Sequence, residues 1–141
     1  FISFIMSQEG QDVVAEEGYI PLDGAEAYAG DAPAGKVVVG GSSSVSPVME
    51  KLIEAYAEVN PDAEIELQTT DSTTGMESAI SGAYDREVKE DELSAGLEAQ
   101  VIATDGIAVV VNNNNPTDEL TSDQVKSIYT GEALTWDEVV E

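Results

Sequence analysis

The sequence has no cysteine and no histidine, and lysine and arginine together account for only 5 of its 141 residues. Without cysteine, the chain can form neither a disulfide bond nor a thiolate metal cluster. Without histidine, it lacks the commonest general base of enzymes and the commonest protein ligand of transition metals. We therefore predict that the protein is not an enzyme and that it holds no metal ion and no cofactor.

The few basic side chains are outnumbered by 29 aspartates and glutamates, which gives a formal net charge of -24 and a pI near 4.1. We expect no nucleic-acid partner, because binding to phosphate polymers depends on lysine and arginine. The acids are spread along the chain, which is typical of a halophilic surface, natural or engineered, in salt that weakens self-repulsion. A surface tuned only for general solubility is the alternative.

Long apolar runs are also absent, since no stretch approaches the roughly 20 residues of a membrane span. The opening FISFIM is too short for a signal peptide and lacks a basic flank. We expect no membrane insertion and no signal peptide in this chain. Apolar residues make up 42% of the sequence and fall into periodic runs, which indicates a folded protein. Its length predicts one domain, residues 1–141.

The first 35 residues differ from the rest of the sequence in composition and hydrophobic pattern. Residues 1–22 predict a short apolar helix and a second helix capped by Ser7, with Val13 and Val14 inward and an end near Gly18. Residues 23–35 are small, rich in glycine and alanine, and aperiodic. We interpret them as a linker.

Strands and helices alternate from Lys36 onward. The run KVVVG (36–40) predicts a strand, and residues 47–59 predict a helix with Ser46 as its N-cap. The alternating AEIEL (63–67) predicts a second, half-exposed strand. The apolar stripe of the helix consists of Val48, Met49, Leu52, Tyr56 and Val59.

Later patterns continue the alternation. Thr74 and Glu77 have the spacing of a capping box at the start of a helix that ends near Ile80, and residues 86–99 are acidic and partly helical in pattern. The unbroken apolar run 107–111 predicts a strand buried on both faces. Further capping boxes, Thr121 with Gln124 and Thr135 with Glu138, begin two more helices. The whole pattern predicts an α/β fold with a mainly parallel sheet.

Two polar loops, GGSSSVSP (40–47) and TTDSTTG (69–75), each join a strand to a helix. In a parallel sheet such loops meet at the carboxyl edge of the strands, where free N–H groups and helix dipoles hold anions without any lysine. Serine and threonine hydroxyls would add further donors. The alternative is that these residues only cap helices, as they commonly do.

Three segments carry a family resemblance: residues 36–85, VIATDGIAVVVNNNNP (101–116) and LTSDQVKSIYTGEALTWDEV (120–139). They resemble the first lobe of the phosphate-binding protein of phosphate ABC importers, which has the type II periplasmic-binding-protein fold. The resemblance implies a three-layer α/β/α lobe. Between Asp85 and Arg86 the family typically has a short strand that this sequence lacks.

Residues 1–22 are similar to the C-terminal end of the same family, where the chain returns to the first lobe. Here this segment comes first, and the linker 23–35 joins it to the lobe segment 36–141. The order therefore looks circularly permuted. No part of the sequence resembles the second lobe, which points to an isolated lobe.

The resemblance also implies the site. The phosphate contacts of the family fall on Ser43 and Ser44 in the first loop and on Ser72 in the second, with Thr73 adjacent. The family usually has a small residue where this sequence has Asp71. The Asp71 carboxylate would repel a dianion.

On this basis we interpret the chain as a lobe that binds inorganic phosphate or a related oxyanion weakly. Its parent family is extracytoplasmic, periplasmic or on the cell surface, and docks on an ABC permease. The alternative is an engineered lobe for folding or evolution studies that binds no ligand and forms a homodimer through the former lobe–lobe face.

Overall fold

A computed structural model describes residues 1–82, 99–117 and 119–139 of the chain. The elements in chain order are α1 (Ile2–Ile5), α2 (Gln8–Glu16), β1 (Gly35–Ser42), α3 (Ser46–Val59), β2 (Ala63–Thr70), α4 (Ser72–Ser81), α5 (Ser122–Thr130) and a 3-10 turn (Trp136–Glu138). The chain divides into two compact units, the first unit Phe1–Gly106 and the second unit Ile107–Glu141. The prediction of a single domain stays a prediction.

The sheet of the first unit consists of β1 and β2, which run parallel. Gly35 lies opposite Ala63 at one end, and Ser42 lies opposite Thr70 at the other. The β-branched residues of both strands suit this pleated, half-buried surface. Helix α3 is the connection between the two strands, as parallel pairing requires. The predicted α/β class with a parallel sheet is confirmed.

The core of the first unit forms between α3 and the two N-terminal helices. Its fully buried side chains include Phe4, Val14, Leu52 and Tyr56. The rings of Phe4 and Tyr56 lie 5.2 Å apart between centroids. Each such side chain stabilises the fold by about 1.5–3 kcal/mol relative to an exposed one. Residues 1–22 are therefore an integral part of this unit.

Gln11 connects that N-terminal segment to the rest of the first unit. Its buried amide donates to the carbonyl oxygens of Ile5, at 2.8 Å, and Ile102, at 3.0 Å. Its amide oxygen accepts the N–H of Leu22 at 2.7 Å. A single polar side chain thus satisfies three backbone groups from separate parts of the chain.

The segment interpreted as a linker has no helix or strand over residues 25–34. It is nevertheless anchored, because the ring of Tyr28 packs edge-on against Phe4 with centroids 5.5 Å apart. The Tyr28 N–H donates to the Glu9 carboxylate at 2.7 Å, and the Asn60 side chain donates to the Pro33 carbonyl at 3.1 Å. The segment is therefore packed against the core.

The second unit contains α5 and the 3-10 turn. Thr121 and Gln124 form the predicted capping box at the start of α5, and Gly131 ends it with a positive φ of 76°. Thr135 and Glu138 form the second predicted box. Both predictions are confirmed. In the described part of this unit, Val139 is the one buried apolar side chain.

Three details of the sequence-based helices are wrong. The N-cap of α3 is Val45 rather than Ser46, because the helix already includes Ser46, whose hydroxyl pairs with that of Thr69. The N-cap of α4 is Asp71, so the box predicted between Thr74 and Glu77 does not begin that helix. Val59, placed on the buried stripe, is 46% exposed because α3 ends there.

The strand predicted at 107–111 does not form in the part of the chain that the structure describes. These residues are irregular, and Ile107 and Val110 are 95% and 87% exposed. A strand needs a neighbour for its backbone groups, and no described residue forms a backbone hydrogen bond with 107–111. Residues 83–98, which hold the Asp85–Arg86 junction and most of the predicted acidic helix, lie outside the described residues.

None of the helices found in the three described ranges is long and apolar enough to span a membrane.

Candidate anion-binding site

The two polar loops leave the sheet side by side. Because β1 and β2 are parallel and end opposite each other at Ser42 and Thr70, both loops start at the same carboxyl edge. The structure places the predicted residues Ser43 and Ser44 in the turn before α3, and Ser72 and Thr73 in the first turn of α4. This is the arrangement that allows two helix N-termini to face one anion.

The turn before α3 is held by its own hydroxyls. The Ser42 and Ser44 side-chain oxygens lie 2.9 Å apart, and the Ser44 N–H donates to the Ser42 hydroxyl at 3.4 Å. The N-cap Val45 has no side chain that can accept a bond from the first turn of the helix. At the start of α3, therefore, no capping carboxylate offsets the positive end of the helix dipole.

A hydroxyl pair links the two loops. The Ser46 and Thr69 side-chain oxygens lie 2.8 Å apart, one at the start of α3 and the other near the end of β2. Neither residue is among the site residues predicted from the sequence. The signal that identifies them is the strand register, which cannot be read before the pairing is known.

The start of α4 already holds a carboxylate. Asp71 accepts the Thr74 N–H at 3.0 Å and the Thr74 hydroxyl at 2.7 Å. These hydrogen bonds, that of the Thr74 side chain first, hold the pKa of Asp71 below its usual range. The carboxylate thus stays ionised where a bound anion would approach, and the two negative charges would repel each other.

Tyr19 reaches the first loop from the N-terminal segment. Its hydroxyl donates to the Ser44 carbonyl oxygen at 2.8 Å. The bond spans 25 residues of sequence, so no local pattern could have revealed it. It fixes the peptide group that follows one of the predicted contact residues.

Fixed cationic charge near this edge is scarce in the part of the chain that the structure describes. Lys36 lies at the opposite end of β1, paired with Glu64 at 3.3 Å and with Glu66. The bond to Glu66 is the main reason that the pKa of Lys36 is raised. The described residues contain no group of three acidic side chains placed to hold a metal ion. Anion binding here would depend on neutral donors.

A family profile described as a PBP superfamily domain matches residues 26–140. The chain is 51% identical to the phosphate-binding protein PstS 2 of Streptococcus agalactiae over 144 residues, which cover 99% of this chain and 49% of that protein. It resembles the crystal structure of a phosphate-binding protein of a phosphate ABC transporter from Streptococcus pneumoniae, with a TM-score of 0.75 and 36% identity over 98% of this chain and 56% of the other.

A third relative matches less of the chain. An ABC-type phosphate transport receptor from Vibrio cholerae has a TM-score of 0.56 and 32% identity, over 74% of this chain and 44% of its own. The chain spans about half the length of the curated relatives it matches.

Proposed function

The chain belongs to the PBP superfamily, and on that premise we propose that it takes part in capturing inorganic phosphate for an ABC importer. The names of its relatives support phosphate as the ligand. The observation that carries the proposal is the shared carboxyl edge, where Ser42 and Thr70 end two parallel strands and two hydroxyl-rich loops begin. In this role the protein binds and delivers phosphate and catalyses no reaction, and it works outside the cytoplasm beside a membrane permease.

Four residues are proposed to contact the anion. Ser43 and Ser44 offer hydroxyl and backbone N–H donors in the turn before α3, and Ser72 and Thr73 lie in the first turn of α4. Such bonds are strong because the acceptor is charged. These donors are uncharged and belong to the two loops themselves. An acidic protein with few lysines and arginines can therefore still hold phosphate through them.

We also propose that the order of the chain is circularly permuted relative to relatives such as the Vibrio cholerae receptor. The packing of residues 1–22 into the core of the first unit is compatible with this, because a segment that packs there can precede or follow the rest of the lobe in the chain. The match to the Streptococcus agalactiae protein runs through 99% of the chain. That match supports a natural arrangement over an engineered one.

The affinity follows from how much of the anion these loops can enclose. We propose that a second lobe comes from the half of the relatives' length that this chain does not span, and that closure of the two lobes buries the ligand. For the 141-residue chain by itself we expect a millimolar or weaker dissociation constant, about 4 kcal/mol or less, because water competes for each donor.

Titration calorimetry in high salt tests this proposal. Ser44→Ala should weaken phosphate binding by about tenfold or more, the loss of one bond to a charged group. Ser81→Ala, at the far end of α4, is the matched control and should leave binding unchanged. Equal effects of the two substitutions would contradict the assigned site. Micromolar binding by the chain alone would contradict the predicted weakness, and self-association without any response to phosphate would favour the non-binding alternative.

A further inference from the structure

Ser46 and Thr69 form a hydroxyl pair between the two loops of the candidate site, called here the inter-loop pair. Their side-chain oxygens lie 2.8 Å apart. Thr69 lies opposite Gly41 in the strand register, one residue before both strands end. Ser46 lies on the other side of the first loop, where α3 begins. The pair therefore joins the start of a helix to the strand that leads into the second loop, across 23 residues of sequence.

The turn that carries two of the proposed phosphate contacts is bonded to this pair. The Ser42 carbonyl oxygen accepts the Val45 N–H at 3.0 Å, the bond that closes a four-residue turn. Ser43 and Ser44 occupy the two central positions of that turn. The same carbonyl oxygen accepts the Ser46 hydroxyl at 3.4 Å. Ser46 therefore contacts the turn directly and strand β2 through the other member of the pair.

The hydroxyl protons can complete this chain of bonds in one order. A hydroxyl has a single proton to donate and can accept as well. If the Ser46 proton goes to the Ser42 carbonyl oxygen, the proton between the two side chains of the pair comes from Thr69. In that order Thr69 donates to Ser46 and Ser46 donates to the turn. A change at Thr69 then acts on the first loop through Ser46.

The pair is better suited to fixing the loops than to stabilising the fold. Thr69 is exposed and Ser46 is half-buried, and water can replace a bond between accessible hydroxyls, so its net contribution to folding is small. Its effect on binding has a different origin. Loops that already have the bound arrangement lose less conformational freedom when the ligand arrives, and this raises the affinity.

We propose that Ser46 and Thr69 are positioning residues of the anion site. They hold the turn of Ser43 and Ser44 next to the second loop, so that both helix starts face the same anion. They act through the loop residues and do not themselves touch the ligand. The inference rests on the proposed binding of phosphate and adds the bond that keeps the two halves of the site together.

Substitutions at Thr69 test the proposal in a phosphate titration followed by amide NMR in high salt. Thr69→Val removes the hydroxyl and keeps a β-branched side chain, and it should raise the dissociation constant by about threefold to tenfold. Thr69→Ser keeps the hydroxyl and should stay within about twofold of the wild type. Thr130→Val is the matched control, because that hydroxyl donates to the Ser127 carbonyl oxygen within α5, and it should leave affinity unchanged.

Ser46→Ala tests the pair from its other side. It should raise the dissociation constant by about as much as Thr69→Val, threefold to tenfold. The double variant should bind no more weakly than either single variant, because both changes remove the same bond. In the chain without phosphate, the Ser43 and Ser44 amide resonances should shift more in Thr69→Val than in Thr69→Ser.

The outcomes separate this inference from the proposed function. Wild-type affinity in Thr69→Val and Ser46→Ala would overturn the inference alone, as would equal losses in Thr69→Val and Thr69→Ser. Additive losses in the double variant would also overturn it, since the two hydroxyls would then act independently. A wild type that shows no response to phosphate would overturn the proposed function and this inference with it.

Discussion

Both units contain large apolar side chains, but the first unit buries far more of them than the second. Among the described residues, eight of the nine buried apolar side chains belong to the first unit, and Val139 alone belongs to the second. The first unit combines distant segments, because α1 and α2 pack against α3. The second unit is one short continuous stretch. Burial depends on what the rest of the chain provides, and the candidate anion site lies on the unit with its own core.

The largest expected difference between the units is in the unfolding free energy that each loses when an apolar side chain is shortened. Leu52→Ala removes a fully buried side chain of the first unit and should lower the free energy of unfolding by about 2–5 kcal/mol. Val110→Ala in the second unit should change it by less than about 0.5 kcal/mol, because that side chain is exposed. Urea unfolding in high salt measures both. A loss of unfolding free energy in Val110→Ala close to that in Leu52→Ala would contradict this difference between the units.

Gln11 tests whether the N-terminal segment belongs to the first unit. Gln11→Leu keeps most of the side-chain volume and leaves the Leu22 N–H and two carbonyl oxygens without their bonds. We expect a loss of about 2–4 kcal/mol in unfolding free energy. Gln8→Leu, at an exposed glutamine of the same helix, is the control and should have little effect. If the two variants unfold alike, the segment is not held as the structure indicates.

Asp71 tests the difference between the two helix starts of the first unit. Asp71→Asn keeps a capping side chain and removes the negative charge beside the proposed anion. Phosphate affinity should rise by about tenfold, measured by calorimetry at fixed salt. Asp62→Asn, a change of equal charge near the opposite end of β2, should leave affinity nearly unchanged. An increase of the same size from both would mean that net charge, and not this helix start, limits binding.

Tyr19 tests the contact between the N-terminal segment and the first loop. Tyr19→Phe removes the bond to the Ser44 carbonyl oxygen and should weaken phosphate binding by about threefold. Tyr129→Phe, in the second unit, is the matched control. The amide resonance of Val45, which shares that peptide group, should shift in Tyr19→Phe without phosphate. Unchanged affinity with an unchanged Val45 resonance would remove Tyr19 from the site.

The smallest expected effect is a pH dependence of the first unit. The pKa of Asp71 is lowered in the folded state, so its capping bonds stabilise the unit above the unfolded pKa, and this stabilisation is lost as pH falls through the folded pKa. The wild type should therefore lose slightly more stability than Asp71→Asn between about pH 5 and pH 2. Thermal unfolding measures the difference, and parallel curves for the two proteins would show that the negative charge of the Asp71 cap contributes nothing.

Local features of the fold could be predicted from the sequence. The Ser7 cap, the stripe from Val48 to Tyr56 and the Thr121 box each depend on residues a few positions apart, and the structure contains all three. The capping role of Asp71 was also open to prediction, because aspartate is a favoured N-cap and stands three residues before Thr74. The box predicted from Thr74 competes with this cap, and that prediction is wrong.

Long-range features could not be predicted in the same way. The bond from Tyr19 to Ser44 and the pair of Ser46 with Thr69 depend on packing and register. The strand expected at 107–111 has the right composition, but a strand forms only when a neighbour pairs with it. The two predicted loops do emerge at one sheet edge, since parallel pairing follows from a strand, helix, strand order.

The central claim is that phosphate binds where the two loops leave the sheet of the first unit, and amide NMR of the labelled chain during a phosphate titration tests it most directly. We expect fast-exchange shifts at the Ser43, Ser44, Ser72 and Thr73 amides that all follow the same dissociation constant, in the millimolar range or weaker, about 4 kcal/mol or less. Amides of the second unit should not move. Saturable shifts in the second unit alone, or no shift at the four loop residues at saturating phosphate, would contradict the claim.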